Sequence, residues 1–243
     1  MEEIRINKYL SDAGICSRRE ADRLLEAGRI KIDGKIAEIG MKVSDNTKIE
    51  LDGTQIVKEE EQILIAFHKP QGVVCTTSKK DKDNIIDYIN YGKRIYPIGR
   101  LDKNSEGLIL LTNQGELVDK ILRGSNYHEK EYIVEVNKKL SKAFLQGMRT
   151  GVPILDTVTR PCVVRPMDDY TFRIILTQGL NRQIRRMCEH FGYRVEKLKR
   201  VRVMNVILGN LKAGTYRNVS KEESRELLRL VKEEHPVLSE VKR

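Results

Sequence analysis

The chain has 243 residues, a net charge of +10 and 40% hydrophobic residues. This composition supports a packed core, excludes general disorder, and favours a polyanionic partner. No apolar run approaches the length of a membrane span, so we expect no membrane-spanning helix. The four cysteines lack metal-ligand spacing and indicate reduced thiols in a cytoplasmic protein.

Residues 1–53 predict a compact unit of two helices followed by a small sheet. Apolar residues recur at helical spacing from Ile6, and Ser17 begins a second helix with Glu20 as its capping-box partner. Asp33-Gly34 predicts a hairpin turn between short strands. Residues 54–62 are polar and without apolar period, so they predict a linker.

The first unit is not basic overall, since residues 1–53 hold 10 Lys/Arg and 11 Asp/Glu, a net of 10 − 11 = −1. Any contact of this unit with a polyanion would therefore use a local face. The alternative is a solvated amphipathic surface. The candidates by position are Arg5, Lys8, Arg18, Arg19, Arg29 and Lys31.

Residues 63–220 predict a second, larger domain, in which residues 73–76 continue a strand, residues 140–148 form a helix, and residues 199–206 form a strand with one charged edge. Residues 221–243 predict a final helix and tail, with Leu227, Leu228 and Val231 buried and the tail beginning at His235 and Pro236. Within the large domain, Asp102 lies between two glycines, Gly99 and Gly107, just before an apolar run that predicts a buried strand. Loops on a rigid scaffold commonly carry chemistry. The alternative is a turn aspartate that caps its own backbone.

Two further stretches carry candidate side chains. The alternation of residues 129–136 predicts a strand with Tyr132 on its buried face, which is most often a core position. Residues 181–192 predict a helix with one apolar stripe and, on another face, Arg182, Arg185 and Arg186. Residues 182–202 hold 8 Lys/Arg and 2 Glu, a local net of 8 − 2 = +6, which favours anion binding over a merely solvated face.

Several of these sequence motifs resemble those of a known protein family. The stretches Gly99-Arg-Leu-Asp102, Ser105-Glu-Gly-Leu108 and Leu110-Leu-Thr-Asn113, with Gln178 to Met187, resemble the RsuA family of ribosomal RNA pseudouridine synthases. Within this family, the sequences of residues 188–193 and 203–206 are most similar to the RluF type. The stretches Ile6–Leu10, Gly14–Ala21 and Gly28–Gly34 resemble the S4-type RNA-binding domain.

The resemblance covers about residues 4–220 and implies an α+β protein. An S4-type domain would precede a synthase domain with a mixed, largely antiparallel sheet flanked by helices. It also implies roles for the candidate residues: Asp102 is the catalytic carboxylate, Arg185 its partner, Tyr132 the ring that stacks on the target base, Arg100 the side chain that fills the gap left by a flipped nucleotide, and Arg182 and Arg186 phosphate contacts.

The implied reaction converts a uridine of 23S ribosomal RNA into pseudouridine without ATP, a metal or a redox cofactor. The implied partner is ribosomal RNA, as a large-subunit stem-loop, with tRNA as a second candidate and the protein itself a monomer. Two alternatives stay open from the residues. A non-catalytic RNA-binding assembly factor needs only the basic face, and an RNA hydrolase normally needs a metal cluster or a carboxylate pair.

Overall fold

The computed structural model describes residues 3–44, 46–57, 61–78, 80–122 and 127–232. Contacts divide these residues into two compact units. The first holds the described part of residues 1–63 together with 91–95 and 113–115, and the second holds the remainder. Among the described residues, no helix is both long and apolar enough to cross a membrane.

The first unit has the predicted architecture, two helices and a small sheet. Its elements are β1 (Ile4–Arg5), α1 (Ile6–Asp12), α2 (Arg18–Glu26), β2 (Ile30–Ile32), β3 (Lys35–Ile36), β4 (Lys42–Val43), β5 (Ile49–Leu51) and β6 (Thr54–Gln55). The Ser17 hydroxyl accepts a hydrogen bond from the Glu20 backbone N–H at 3.2 Å, so α2 begins at the predicted cap. Asp33 and Gly34 have positive φ angles of 47° and 81°, the conformation that a tight hairpin turn requires.

The small sheet has the order β3-β2-β5-β6 and extends beyond residue 53. The strand β6 pairs with β5, and Ile56 is buried in the core of the first unit. The ordered unit therefore includes the start of the segment predicted as a linker. Residues 58–60 of that segment lie outside the described residues.

The second unit is built on a nine-stranded sheet with the main order β13-β14-β10-β15-β9-β7-β17. Among the strand pairs of the described residues, β15–β9 alone is parallel, so the sheet is mixed and largely antiparallel, as predicted. The elements are β7 (Leu64–Lys69), α3 (Ile85–Ile89), β8 (Tyr96–Ile98), β9 (Glu106–Thr112), α4 (Gly115–Leu122), β10 (Lys130–Val136), α5 (Lys142–Thr150), β11 (Pro153–Ile154), β12 (Thr157–Val158), β13 (Val163–Pro166), β14 (Thr171–Leu176), α6 (Gln183–His190), β15 (Val195–Val203), β16 (Val206–Ile207), β17 (Tyr216–Asn218) and α7 (Lys221–Lys232).

The central strand β9 explains the apolar run that follows Asp102. It lies between β7 and β15, and its residues from Gly107 to Thr112 are all buried. Gly107 has φ +115°, and a Cβ built there would lie 2.2 Å from the Arg200 carbonyl oxygen. The parallel contact of β9 with β15 therefore requires a glycine at this position.

Several sequence-based expectations need correction. The predicted strand Val73–Thr76 is reduced to a single bridge between Val74 and Asn84, because the backbone there turns back towards α3. The helix predicted for residues 140–148 lies at Lys142–Thr150, where the Ser141 hydroxyl caps it. In α7, Leu227 and Val231 are buried as predicted, but Leu228 is exposed. The predicted tail at His235 and Pro236 lies outside the described residues.

Candidate active site

The Asp102 loop is fixed by hydrogen bonds at both ends. The Ser105 N–H donates to the Asp102 carbonyl at 3.0 Å, and the Leu101 N–H donates to the Cys75 sulfur at 3.3 Å. The fully buried Lys69 donates from Nζ to the Ser105 carbonyl at 2.8 Å. Burial lowers the pKa of Lys69. Because the chain around Asp102 is held at these points, its carboxylate is presented from a fixed backbone.

Arg185 joins this loop to α6. Its Nε lies 3.7 Å from Asp102 Oδ2, a distance for charge attraction rather than a hydrogen bond. Its Nη2 donates to the Asn104 carbonyl at 3.0 Å and the Ser105 hydroxyl at 3.2 Å. The structure thus brings together the two residues that the resemblance paired. Burial, and then the nearby Arg182 cation, lower the pKa of Arg185, while the Asp102 charge acts in the opposite direction.

A cavity of about 190 Å³ lies beside Asp102 and is also lined by Tyr132 and Arg185. Tyr132 lies on the buried face of β10, directly between Ile174 of β14 and Arg200 of β15. Its relative exposure is only 9%, so it is both a core tyrosine and a wall of the cavity. The three predicted catalytic side chains therefore meet in one site.

Sequence reasoning missed two cations in this cavity, Lys130 and Arg200. Residues 199–206 were expected to form a strand with one charged edge, yet Arg200 is 2% exposed. The reason is a register shift in β15: Arg200 is opposite Tyr132, but Arg202 is opposite Glu131, so Val201 is an extra residue. The alternation of apolar and charged residues in the sequence does not reveal this register shift. Burial, and then the Arg200 charge, lower the pKa of Lys130 to about 8.

The predicted three-arginine face of α6 is not formed as expected. The helix begins at Gln183, since Arg182 before it has a left-handed backbone with φ 49°. Arg182 lines the cavity and its Nη1 lies 3.6 Å from Asp102 Oδ2. Arg185 is buried, and Arg186 donates to the Asn181 carbonyl at 3.1 Å. Arg100 is exposed and lines the cavity mouth beside Asp102.

The predicted basic residues of the first unit differ in their surroundings. The Nε and Nη2 atoms of Arg29 donate to the two carboxylate oxygens of Asp52, so this ion pair already balances the charge of Arg29. Arg5 and Lys31 are exposed on β1 and β2, and Lys8 is half-buried. Arg18 and Arg19 are exposed on the first turn of α2.

Both units of the chain match known protein families. The sequence model of the family described as RNA pseudouridylate synthase matches residues 63–190, and that of the S4 domain matches residues 4–49. A protein of Escherichia coli (strain K12) named dual-specificity RNA pseudouridine synthase RluF is 52% identical over 230 residues, which cover 94% of this chain and 79% of that protein.

Two further relatives agree. The ribosomal large subunit pseudouridine synthase B of Bacillus subtilis (strain 168) is 33% identical, over 92% of this chain and 95% of its own. A solved structure described as "Crystal structure of pseudouridylate synthase" has a TM-score of 0.68 at 26% identity, and covers 92% of this chain and 99% of that one. The chain therefore belongs to the RNA pseudouridylate synthase family, as an isomerase of its RsuA-type branch that carries an S4 domain.

Proposed function

We propose that the chain converts a uridine of 23S ribosomal RNA into pseudouridine, with Asp102 as the catalytic carboxylate. The observation that supports this assignment is the meeting of Asp102, Tyr132 and Arg185 around one cavity. An engineered cavity of about 150 Å³ holds a benzene ring. A cavity of about 190 Å³ therefore has room for one pyrimidine ring.

The target nucleotide must leave its stack to reach this cavity, which costs a few kcal/mol. Stacking of the flipped base on Tyr132 offsets about 1–3 kcal/mol of that cost. Arg100, exposed at the cavity mouth, fills the gap that the nucleotide leaves in the RNA. Arg185 holds the Asp102 loop through the Asn104 carbonyl and balances the carboxylate charge inside the site.

The names of the relatives support ribosomal RNA as the target. The Bacillus subtilis relative is named for the large ribosomal subunit, and the Escherichia coli relative for dual specificity. The second name favours a second RNA substrate, for which tRNA is the candidate. We assign RNA contacts in the first unit to Arg5, Lys8, Arg18, Arg19 and Lys31, with Arg29 contributing less because Asp52 matches its charge.

Tritium release from an unmodified 23S rRNA transcript, labelled at C5 of uridine, tests the proposal. The wild-type protein is expected to release tritium at one or a few sites, which mapping then identifies. Asp102→Asn should abolish release while RNA affinity stays within several-fold, because phosphate contacts dominate affinity. Asp169→Asn is the matched control, since Asp169 is an exposed partner of Lys139.

Two results would contradict the proposal. Substantial tritium release by Asp102→Asn would remove Asp102 from the catalytic role. If the wild-type protein binds the transcript tightly without releasing tritium, a non-catalytic RNA-binding role replaces the proposed reaction on this RNA. Repeating the assay with a pool of unmodified tRNA tests the second substrate class.

A further inference from the structure

Two cations in the cavity, the half-buried Lys130 and the buried Arg200, form no ion pair among the described residues. Arg200 donates from Nε to the Leu108 carbonyl at 2.7 Å, but its buried Nη2 finds no hydrogen-bond partner in the described part of the chain. The Lys130 Nζ has one hydrogen-bond acceptor among the residues that the structure describes, the His128 carbonyl at 3.3 Å. Unsatisfied buried donors are rare in native proteins and point to a missing partner.

Within the described part of the chain, the charges that line the cavity leave these two cations without an ion-pair partner. The charged or titratable side chains that line the cavity with Lys130 are Arg100, Asp102, Tyr132, Arg182, Arg185 and Arg200. Asp102, the only carboxylate in this lining, already lies within 3.7 Å of Arg182 and Arg185. The two carboxylates adjacent to Lys130 in sequence, Glu129 and Glu131, both pair with Arg202.

Strand geometry places both cations beside the stacking ring. Arg200 is the direct cross-strand partner of Tyr132, which brings their Cβ atoms to about 4.5–5.5 Å. Lys130 precedes Tyr132 by two residues on β10 and therefore projects from the same face. A base that stacks on Tyr132 thus has its edge within reach of both donors.

We propose that Lys130 and Arg200 form a subsite for the carbonyl oxygens of the flipped uracil and stabilise the negative charge that develops on the base. This inference rests on the proposed function. A phosphate is the less suitable occupant, because Arg200 is buried directly opposite the stacking ring of Tyr132, whereas Arg182 and Arg100 are exposed.

The charge arises from the bond change itself. When the C1′–N1 bond breaks, its electron pair stays on the uracil ring and is delocalised onto the carbonyl oxygens. The ring then turns, C5 forms the new bond to C1′, the proton on C5 is lost, and N1 takes up a proton. No electrons are gained or lost overall. Donors fixed in a dry site stabilise such developing charge most strongly.

The test compares Lys130→Met, Lys130→Arg and the control Lys197→Met by tritium release from the C5-labelled 23S transcript between pH 6.5 and 9.5. Lys197 is an exposed lysine on β15 that pairs with Glu135. Single turnover at saturating protein reports the chemical step, and kcat/KM reports groups of the free enzyme. We expect Lys130→Met to lower the single-turnover rate by about 10²–10³-fold at pH 7, with unchanged RNA affinity.

The pH dependence separates this role from a structural one. Lys130 loses its proton as pH rises through about 8, so wild-type kcat/KM should fall above that pH. Lys130→Arg keeps a charge, so its kcat/KM should exceed that of Lys130→Met and should not fall near pH 8. The control should follow the wild type. Arg200→Lys, which keeps the cation but loses the second guanidinium donor, should also slow single turnover, by about 10-fold or more.

Three outcomes would overturn the inference. The first is a Lys130→Met rate within threefold of wild type at pH 7, with the wild-type pH profile. The second is a loss confined to RNA affinity, which would assign Lys130 to phosphate. The third is a fall in kcat/KM above pH 8 that persists in Lys130→Met. Absence of wild-type turnover with this transcript is a different result, because it contradicts the proposed function, and the subsite falls with it.

Discussion

One face of the nine-stranded sheet lines the candidate active site, and the opposite face carries a ladder of ion pairs. On the ladder face, Lys197 pairs with Glu135, Lys199 with Glu106, and Arg202 with Glu131 and Glu129. On the cavity face, Lys130 and Arg200 have no such partner among the described residues. The cations of the ladder face are already paired with carboxylates, whereas the half-buried Lys130 and the buried Arg200, unpaired among the described residues, are available to a ligand.

The largest expected effect on the cavity face follows Arg185→Ala. This change leaves the Asp102 carboxylate without its buried partner and releases the Asn104 carbonyl and the Ser105 hydroxyl. Breaking a fully buried pair typically costs about 3–5 kcal/mol, and the lower end of this range applies here because the Asp102 side chain is 32% exposed. We expect single-turnover tritium release to fall by about 10²–10³-fold or more, with little change in the salt dependence of RNA binding. The exposed Arg194, which pairs with Glu196, offers the control Arg194→Ala. A rate near wild type for Arg185→Ala would separate Arg185 from the reaction.

Gly107→Ala tests the close approach that positions Arg200 on the cavity face. The added Cβ would meet the Arg200 carbonyl oxygen at 2.2 Å, and φ is +115° at this position. We expect the free energy of unfolding in urea to fall by about 3 kcal/mol or more, since neither β9 nor β15 can move away within the sheet. Gly179→Ala is the control, because its Cβ would meet no atom within 4 Å. Equal stability of the two variants would contradict the constraint.

Lys130→Met should stabilise the protein while it lowers activity. The folded-state pKa of about 8 is below the ordinary 10.5, so the unfolded chain binds more protons between these values. Wild-type stability therefore rises with pH across that window, and the cost of the buried charge is fully present below pH 8. We expect the variant to be more stable by roughly 2 kcal/mol at pH 7.

Urea unfolding at pH 7 and at pH 10 measures this effect. The advantage of Lys130→Met over wild type should shrink at the higher pH, because the wild-type lysine is then neutral in the folded state. Two results would show that the Lys130 charge does not reduce the stability of the folded protein. One is a variant that is less stable than wild type at pH 7, and the other is a stability difference that does not change with pH.

Arg182→Ala tests whether an exposed arginine beside Asp102 behaves as a phosphate contact. Its side chain is 43% exposed, in contrast to the buried Arg185. Loss of one phosphate contact should weaken RNA binding and reduce the slope of log affinity against log salt by about one unit or less. Should Arg182→Ala instead abolish single turnover with an unchanged slope, the roles of the two arginines would be exchanged.

The smallest effect is expected on the ladder face. The ion pair between Lys197 and Glu135 is exposed, so a double-mutant cycle with Lys197→Met and Glu135→Gln should give a coupling free energy below about 1 kcal/mol. The coupling should decrease further in high salt. A coupling of several kcal/mol would mean that the two faces do not differ in the way proposed.

The sequence predicted the features that depend on near neighbours in the chain. The Ser17 cap, the Asp33-Gly34 turn and the buried face of the Tyr132 strand all follow from local preference and from alternation, and the structure confirms them. The sequence motifs that resemble the synthase family also identified Asp102, Tyr132 and Arg185, which the structure brings to one cavity. The assignment of their chemical roles stays a prediction.

Tertiary structure alone decided which cations face the cavity. Arg200 reaches it because Val201 is an extra residue in β15, and residue alternation carries no sign of that insertion. Arg182 leaves the predicted helical face because its backbone is left-handed before α6 begins. The bonds of Arg185 to Asn104 and Ser105 span about 80 positions of the chain and form only when α6 packs against the Asp102 loop. Local preference determines where strands and helices form, whereas long-range packing determines which charged side chains are buried and left without a partner.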